Sequence, residues 1–212
     1  KYLSQLELQS VLERAMRKAD VPLSFSQGYH PAPRLSFARA LPVGVDSTCE
    51  WFHVLLREES PRPQWRDEIN ACLPRGLCIT QAERVSLQEK PKPSSAETFE
   101  VIYQGEEAQL EDFVQAWHEA MRSESLPLRK RSKKGKEKTI NARQALADIR
   151  DAGSGRVRVT CDWSEVYVNP LELVRLITPG ARADAYALCK IDPGFGPCRE
   201  SGNEPIASCP ST

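Results

Sequence analysis

Residues 24–39 constrain the fold of this chain more than any other stretch. Gly28, Pro31 and Pro33 lie close together there, and these residues interrupt the hydrogen bonding of both helices and strands. Regular structure is predicted on both sides of the segment. We therefore expect an irregular crossing from a helix to a β-hairpin, which is the kind of loop in which binding residues concentrate.

An amphipathic helix is predicted directly before this segment. Ser4 and Glu7 have the spacing of a capping box, in which each side chain bonds the backbone amide of the other residue. Apolar residues recur at intervals of three and four through the following turns. The pattern predicts a helix over residues 5–19, and Pro22 prevents it from continuing.

Two strands, a second helix and a third strand are predicted after the loop. Alternating side chains indicate strands over residues 34–38 and 50–56, which can pair as a hairpin. Residues 61–73 have the apolar spacing of a helix, and residues 77–87 are predicted to form a strand. If a further strand precedes Lys1, the element order becomes βαββαβ, the ferredoxin-like arrangement.

A similar order of elements is predicted again after a proline-rich linker at residues 90–95. The predicted elements are strands at 98–104, 126–131, 139–142, 156–163, 165–168 and 185–191, with helices at 110–121 and from Asn169 onwards. The predicted fold class is therefore α+β, with two ferredoxin-like halves built on antiparallel sheets. These halves span residues 1–90 and 96–192, and residues 193–212 are expected to form an irregular tail.

Composition indicates an ordinary globular protein without net charge, because Lys+Arg and Asp+Glu both number 29. This balance argues against a uniformly basic nucleic-acid binder but permits a local basic patch. Membrane spans and signal peptides are not expected, so the predicted location is cytoplasmic. The seven cysteines include no C-x-x-C pair and are expected to be reduced, with no metal or cofactor bound; the alternative is a metal site or disulfides at Cys189, Cys198 and Cys209. The seven cysteines are Cys49, Cys72, Cys78, Cys161, Cys189, Cys198 and Cys209.

The first candidate site lies in the loop and its flanking strands. A histidine there can act as a ligand, base or phosphate donor, and arginines can hold a phosphate through two hydrogen bonds. The alternative is that the histidine fixes the loop and that the arginines pair with carboxylates. The candidate ligand-binding residues are Gln27, Gly28, Tyr29, His30, Arg34, Arg39 and Glu50.

The second candidate site is a basic run at residues 129–138. Such a concentration of charge attracts a phosphate backbone and makes binding depend on salt. The alternative is a solvated hairpin loop, and no aromatic residue within the run offers a surface for base stacking. The basic residues are Arg129, Lys130, Arg131, Lys133, Lys134, Lys136 and Lys138.

Three motifs give the first part of the chain a family resemblance. They are Ser-Gln-Gly-Tyr-His-Pro at 26–31, Pro-Arg-Leu-Ser-Phe-Ala at 33–38 and Leu-Pro-Val-Gly at 41–44. Over about the first 85 residues the chain resembles a bacterial domain of unknown function, the radical-SAM-linked domain. Members of that family are fused to radical SAM proteins or encoded beside them, and some are attached to ribonuclease E/G-type proteins. The resemblance implies a radical SAM partner and no established activity.

Three functions stay open at this point. We favour a non-enzymatic accessory domain that recognises RNA or a ribonucleoprotein for a radical SAM enzyme, with specificity from residues 27–39 and affinity from the basic run. The second function is a small enzyme or ligand-binding protein in which His30, Arg34 and Glu50 share a cleft. The third is a module that docks on the radical SAM protein itself. The chain has no CxxxCxxC motif, so radical SAM chemistry is not expected of it alone.

Overall fold

The computed structural model describes residues 2–58, 64–85, 95–131, 135 and 137–192 of the chain. Within these residues the helices are α1 (Gln5–Lys18), α2 (Trp65–Cys72), α3 (Leu110–Arg122) and α4 (Pro170–Ile177). The strands are β1 (Leu35–Phe37), β2 (Asp46–Ser47), β3 (Phe52–Val54), β4 (Ala96–Tyr103), β5 (Pro127–Arg131), β6 (Glu137–Asn141), β7 (Leu146–Gly153), β8 (Arg156–Asp162) and β9 (Tyr186–Asp192).

The described residues form two compact units. We call residues 3–40 and 51–85 the hairpin unit, and residues 41–50 and 95–192 the sheet unit. The short segment 41–50 thus groups with residues far along the chain. The division predicted between residues 90 and 96 stays a prediction, and the predicted tail at 193–212 lies outside the described residues.

The hairpin unit combines two helices with a small antiparallel pair. The predicted capping box is confirmed, since the Ser4 hydroxyl accepts from the Glu7 amide and the Glu7 carboxylate accepts from the Ser4 amide. The predicted hairpin is confirmed by the pairing of β1 with β3. Apolar side chains from α1, α2 and the segment between α1 and β1 form the core: Leu12, Ala15, Met16, Ala19, Val21, Leu23 and Ile69.

The strand predicted at 77–87 is wrong for the described residues 77–85, which have no regular structure. The Asn70 side chain explains how the backbone is satisfied without a neighbouring strand. Its amide nitrogen donates to the Ile79 carbonyl at 2.9 Å, and its oxygen accepts from the Ile79 amide at 2.7 Å. One side chain of α2 therefore takes both backbone bonds that a strand partner would make at this position.

The sheet unit has a five-stranded sheet in the order β2-β9-β4-β8-β7. Its strands are antiparallel except for the β2–β9 pair, which is parallel. One face packs on α3 and α4 through a large apolar core that includes Phe99, Val101, Trp117 and Leu173. The β4, α3, β7, β8, α4 and β9 elements follow one another in the order βαββαβ, with the β5–β6 hairpin inserted. The α+β class is confirmed, whereas two ferredoxin-like halves are not.

Two other local predictions need correction. Residues 165–168, predicted as a strand, have no regular structure and lead into α4. This segment is held by other means, because Val168 is fully buried and the Tyr167 carbonyl accepts a hydrogen bond from a lysine side chain. The two-residue strand β2 was not predicted at all.

Within the described residues, no helix is long and apolar enough to cross a membrane.

Candidate functional site

The predicted binding loop is an exposed projection of the hairpin unit. Its base is closed where the Ser26 amide donates to the Ala32 carbonyl at 2.8 Å and the Ala32 amide donates to the Ser26 hydroxyl at 3.1 Å. At the tip, Tyr29 is 95% exposed and its ring meets the His30 ring edge-on at 4.9 Å. Gln27 and Gly28 are also exposed. The loop therefore presents a ring pair to solvent.

The remaining loop candidates have different surroundings. Arg34 is exposed and Arg39 is half-buried in the hairpin unit. Glu50 belongs to the sheet unit, where its carboxylate pairs with Lys190 at 3.1 Å and accepts from the Ser47 hydroxyl at 2.9 Å. The Glu50 carboxylate is thus engaged in an ion pair with Lys190. The cleft predicted for His30, Arg34 and Glu50 stays a prediction.

The described residues of the basic run lie mostly on β5 and β6, which pair as the predicted hairpin in the sheet unit. Arg129 lies opposite Thr139 and Arg131 lies opposite Glu137, while Lys130 lies opposite Lys138. Because alternate residues share a face, Arg129 and Arg131 project on one side of the hairpin and the two lysines on the other. Leu128 and Ile140 pack against the core. The other three lysines of the run, Lys133, Lys134 and Lys136, lie outside the described residues.

Lys130 connects this hairpin to an aromatic side chain. Its amine donates to the Tyr167 carbonyl at 2.8 Å and lies 5.7 Å from the centre of the Tyr167 ring. Tyr167 is 39% exposed and meets the Trp163 ring edge-on at 5.1 Å. The fold therefore places beside the basic run the aromatic face that the run itself lacks. In contrast, no carboxylate of the described residues lies within ion-pair distance of Arg129 or Arg131.

A second cluster in the sheet unit surrounds a buried lysine. Lys190 on β9 is 2% exposed, and its amine lies 3.1 Å from the Glu50 carboxylate and 3.0 Å from that of Glu97. Glu97 is also buried and accepts from the Trp163 indole at 2.6 Å. The Lys190 carbonyl accepts from the Thr48 amide at 3.1 Å. This cluster ties segment 41–50 to the centre of the sheet.

The electrostatics of Lys190 indicate a structural ion rather than a nucleophile. Burial alone lowers the pKa of this amine, but the carboxylates of Glu50 and Glu97 outweigh burial and raise the pKa above its usual value. A nucleophilic or Schiff-base lysine needs the opposite shift. The neighbouring thiols are also held protonated, since burial raises the pKa of Cys49 to about 11 and raises that of Cys189.

Lys190, Glu97 and Tyr167 were missed as site residues by the sequence prediction. The sequence did contain a signal for Glu97 and Lys190. Each lies two positions from a buried apolar residue of the same strand, and alternate residues of a strand share a face, so each lies on the core-facing side. A charged residue on an apolar strand face indicates a buried pair. Tyr167 had no comparable signal, because its position beside Lys130 follows from the tertiary structure.

The geometry defines an α+β protein with an exposed basic hairpin and a buried structural ion cluster. A family model described as "Uncharacterized protein conserved in bacteria (DUF2344)" matches residues 1–173. The chain belongs to this family. No curated protein and no solved structure is significantly similar to the chain.

Proposed function

We propose that this protein is an RNA-binding accessory domain, with the β5–β6 hairpin and Tyr167 as its interface. The supporting observation is that Lys130 joins the basic hairpin to an exposed aromatic ring. Single-stranded RNA is bound by a combination of cations along the backbone and aromatic rings that stack on the bases. Arg129 and Arg131 supply the first element on one face of the hairpin. Tyr167 supplies the second on the opposite face, where Lys130 lies, so the RNA strand passes around the edge of the hairpin.

The arginines and the tyrosine have distinct tasks in this proposal. Arg129 and Arg131 are exposed, lie on one hairpin face and have no carboxylate partner among the described residues, so both can contact phosphates. Lys130 is engaged by Tyr167 and lies 4.0 Å from Glu172, so it holds the ring in place. The exposed ring pair of Tyr29 and His30 is a second, separate surface for a splayed base.

The enzyme served by this domain is, in our proposal, a radical SAM protein acting on RNA or a ribonucleoprotein. The support is the resemblance of the segment around residues 26–44 to domains that accompany radical SAM proteins.

Fluorescence anisotropy with a labelled single-stranded RNA of about 12 nucleotides tests the interface. We expect the Arg129→Gln/Arg131→Gln variant to lose at least about tenfold in affinity, and Tyr167→Leu to lose about tenfold through stacking. The control is Arg150→Gln/Arg182→Gln, which removes the same charge from arginines that already pair with aspartates. Equal losses in both double variants would refute a local interface, and absence of saturable binding would refute RNA binding altogether.

A further inference from the structure

A cleft between α1 and α2 in the hairpin unit is a separate surface. It has a volume of about 280 Å³ and is lined by Val11, Arg14, Ala15, Lys18, Cys72, Leu73 and Pro74. Val11, Ala15, Leu73 and Pro74 supply the apolar part of its wall, beside the two cations. The two cations stand one helical turn apart on α1, about 6 Å along the helix axis.

The two cations in this cleft lack the ion pair that a neighbouring arginine has, although Arg14 donates to the Ser10 carbonyl at 3.3 Å. Arg17, in the same turns of α1, pairs with Glu13 at 2.8 Å and covers the Phe25 ring at 4.8 Å. Arg14 and Lys18 have no carboxylate within ion-pair distance among the described residues. The helix dipole favours Lys18 in the last turn, but Arg14 lies a full turn earlier.

We infer that this cleft docks a partner protein through an acidic peptide segment that carries leucine-like side chains. Carboxylates on the peptide pair with Arg14 and Lys18, and an apolar side chain packs between Val11 and Leu73. A free phosphate gains nothing from the apolar wall. RNA lacks a stacking partner here, because no aromatic side chain of the described residues lines the cleft.

The exposed rim of the cleft favours a macromolecular partner over a small molecule. Pockets that enclose drug-sized ligands have volumes of about 300–1,000 Å³ and bury most of the ligand. This cleft lies at the lower end of that range and is open to solvent, with Arg14, Lys18 and Pro74 exposed. It accommodates one apolar side chain and its acidic neighbours, as a segment of a larger protein presents them.

The test uses a fluorescein-labelled ten-residue peptide of glutamate and leucine at helical spacing, with anisotropy as the readout. We expect saturable binding to the full chain and a loss of about fivefold or more in the Arg14→Gln/Lys18→Gln variant. A peptide with serine for leucine should bind more weakly than the parent peptide. The matched control variant is Arg17→Gln/Arg66→Gln, which removes two arginines that already have carboxylate partners.

A second readout locates the peptide. Cys72 lines the cleft, so bound peptide should slow its alkylation by iodoacetamide while Cys78, which is exposed and outside the cleft, reacts unchanged. Unchanged Cys72 alkylation, or equal peptide affinity in the two double variants, overturns the inference. If the Arg14→Gln/Lys18→Gln variant instead loses RNA affinity, the cleft belongs to the RNA interface and the inference is likewise overturned. Loss of RNA binding in the Arg129→Gln/Arg131→Gln variant concerns the β5–β6 interface alone, and peptide binding to the cleft does not depend on it.

Discussion

Replacing Lys190 by methionine tests whether the buried cluster holds the sheet unit together. The substitution leaves the carboxylates of Glu50 and Glu97 without the cation that lies 3.0 to 3.1 Å from both. Removing one partner of a buried ion pair costs about 3–5 kcal/mol. Glu50 keeps 29% of its side chain exposed, so we expect the lower end, about 3 kcal/mol.

Urea unfolding followed by tryptophan fluorescence measures this loss, because Trp163 contacts Glu97 directly. If the free energy of unfolding falls by about 2 kcal/mol per molar urea, the midpoint of unfolding should fall by about 1.5 M. Lys138→Met is the matched control, since Lys138 is exposed on β6 and its loss should shift the midpoint little. Adding Glu97→Gln to Lys190→Met should recover part of the stability, because one uncompensated charge is removed. A midpoint shift no larger than that of the control would refute the structural role of the cluster.

Three further outcomes are expected. The fold raises the pKa of Lys190, so its ion pairs stabilise the folded state fully below the unfolded value of 10.5. This stabilisation is lost as the pH rises through the higher folded pKa. The urea midpoint should therefore fall more steeply above about pH 10.5 in the wild type than in Lys190→Met. Asn70→Ala leaves the Ile79 amide and carbonyl without their side-chain partner, so we expect a loss of about 1–2 kcal/mol and faster hydrogen exchange at the Ile79 amide; unchanged exchange would contradict this account. Iodoacetamide at about pH 8 should label exposed Cys78 first, while burial raises the pKa of Cys161 and shields its thiol; early labelling of Cys161 by mass spectrometry would show that the core is open.

Elements that follow from local patterns were predictable. The capping box placed the start of α1, and the cap of Asn169 followed by proline placed the start of α4. The alternating side chains of Leu35 and Phe37 indicated β1, and its partner β3 follows within the same unit. In each case the determining residues lie within a few positions of one another, so a single sequence contains the signal.

Features that depend on distant residues could not be predicted. The two-residue strand β2 pairs with β9 through Asp46 and Cys189, and two residues give no periodicity. Residues 77–85 have the composition of a strand, but at Ile79 one side chain from α2 bonds the backbone in place of a neighbouring strand. For the candidate site, the basic run was visible in the sequence, whereas the contact between Lys130 and Tyr167 depends on tertiary packing across 37 positions.

The salt dependence of RNA affinity tests the proposed interface most directly. Each phosphate contact on a single strand contributes about 0.7 to the slope of log K against log salt concentration. Removing Arg129 and Arg131 together should therefore reduce the slope by about 1.4. Tyr167→Leu should lower the affinity for RNA and leave the slope unchanged. The same slope in the wild type and the Arg129→Gln/Arg131→Gln variant would contradict the proposal, because the hairpin would then make no phosphate contact.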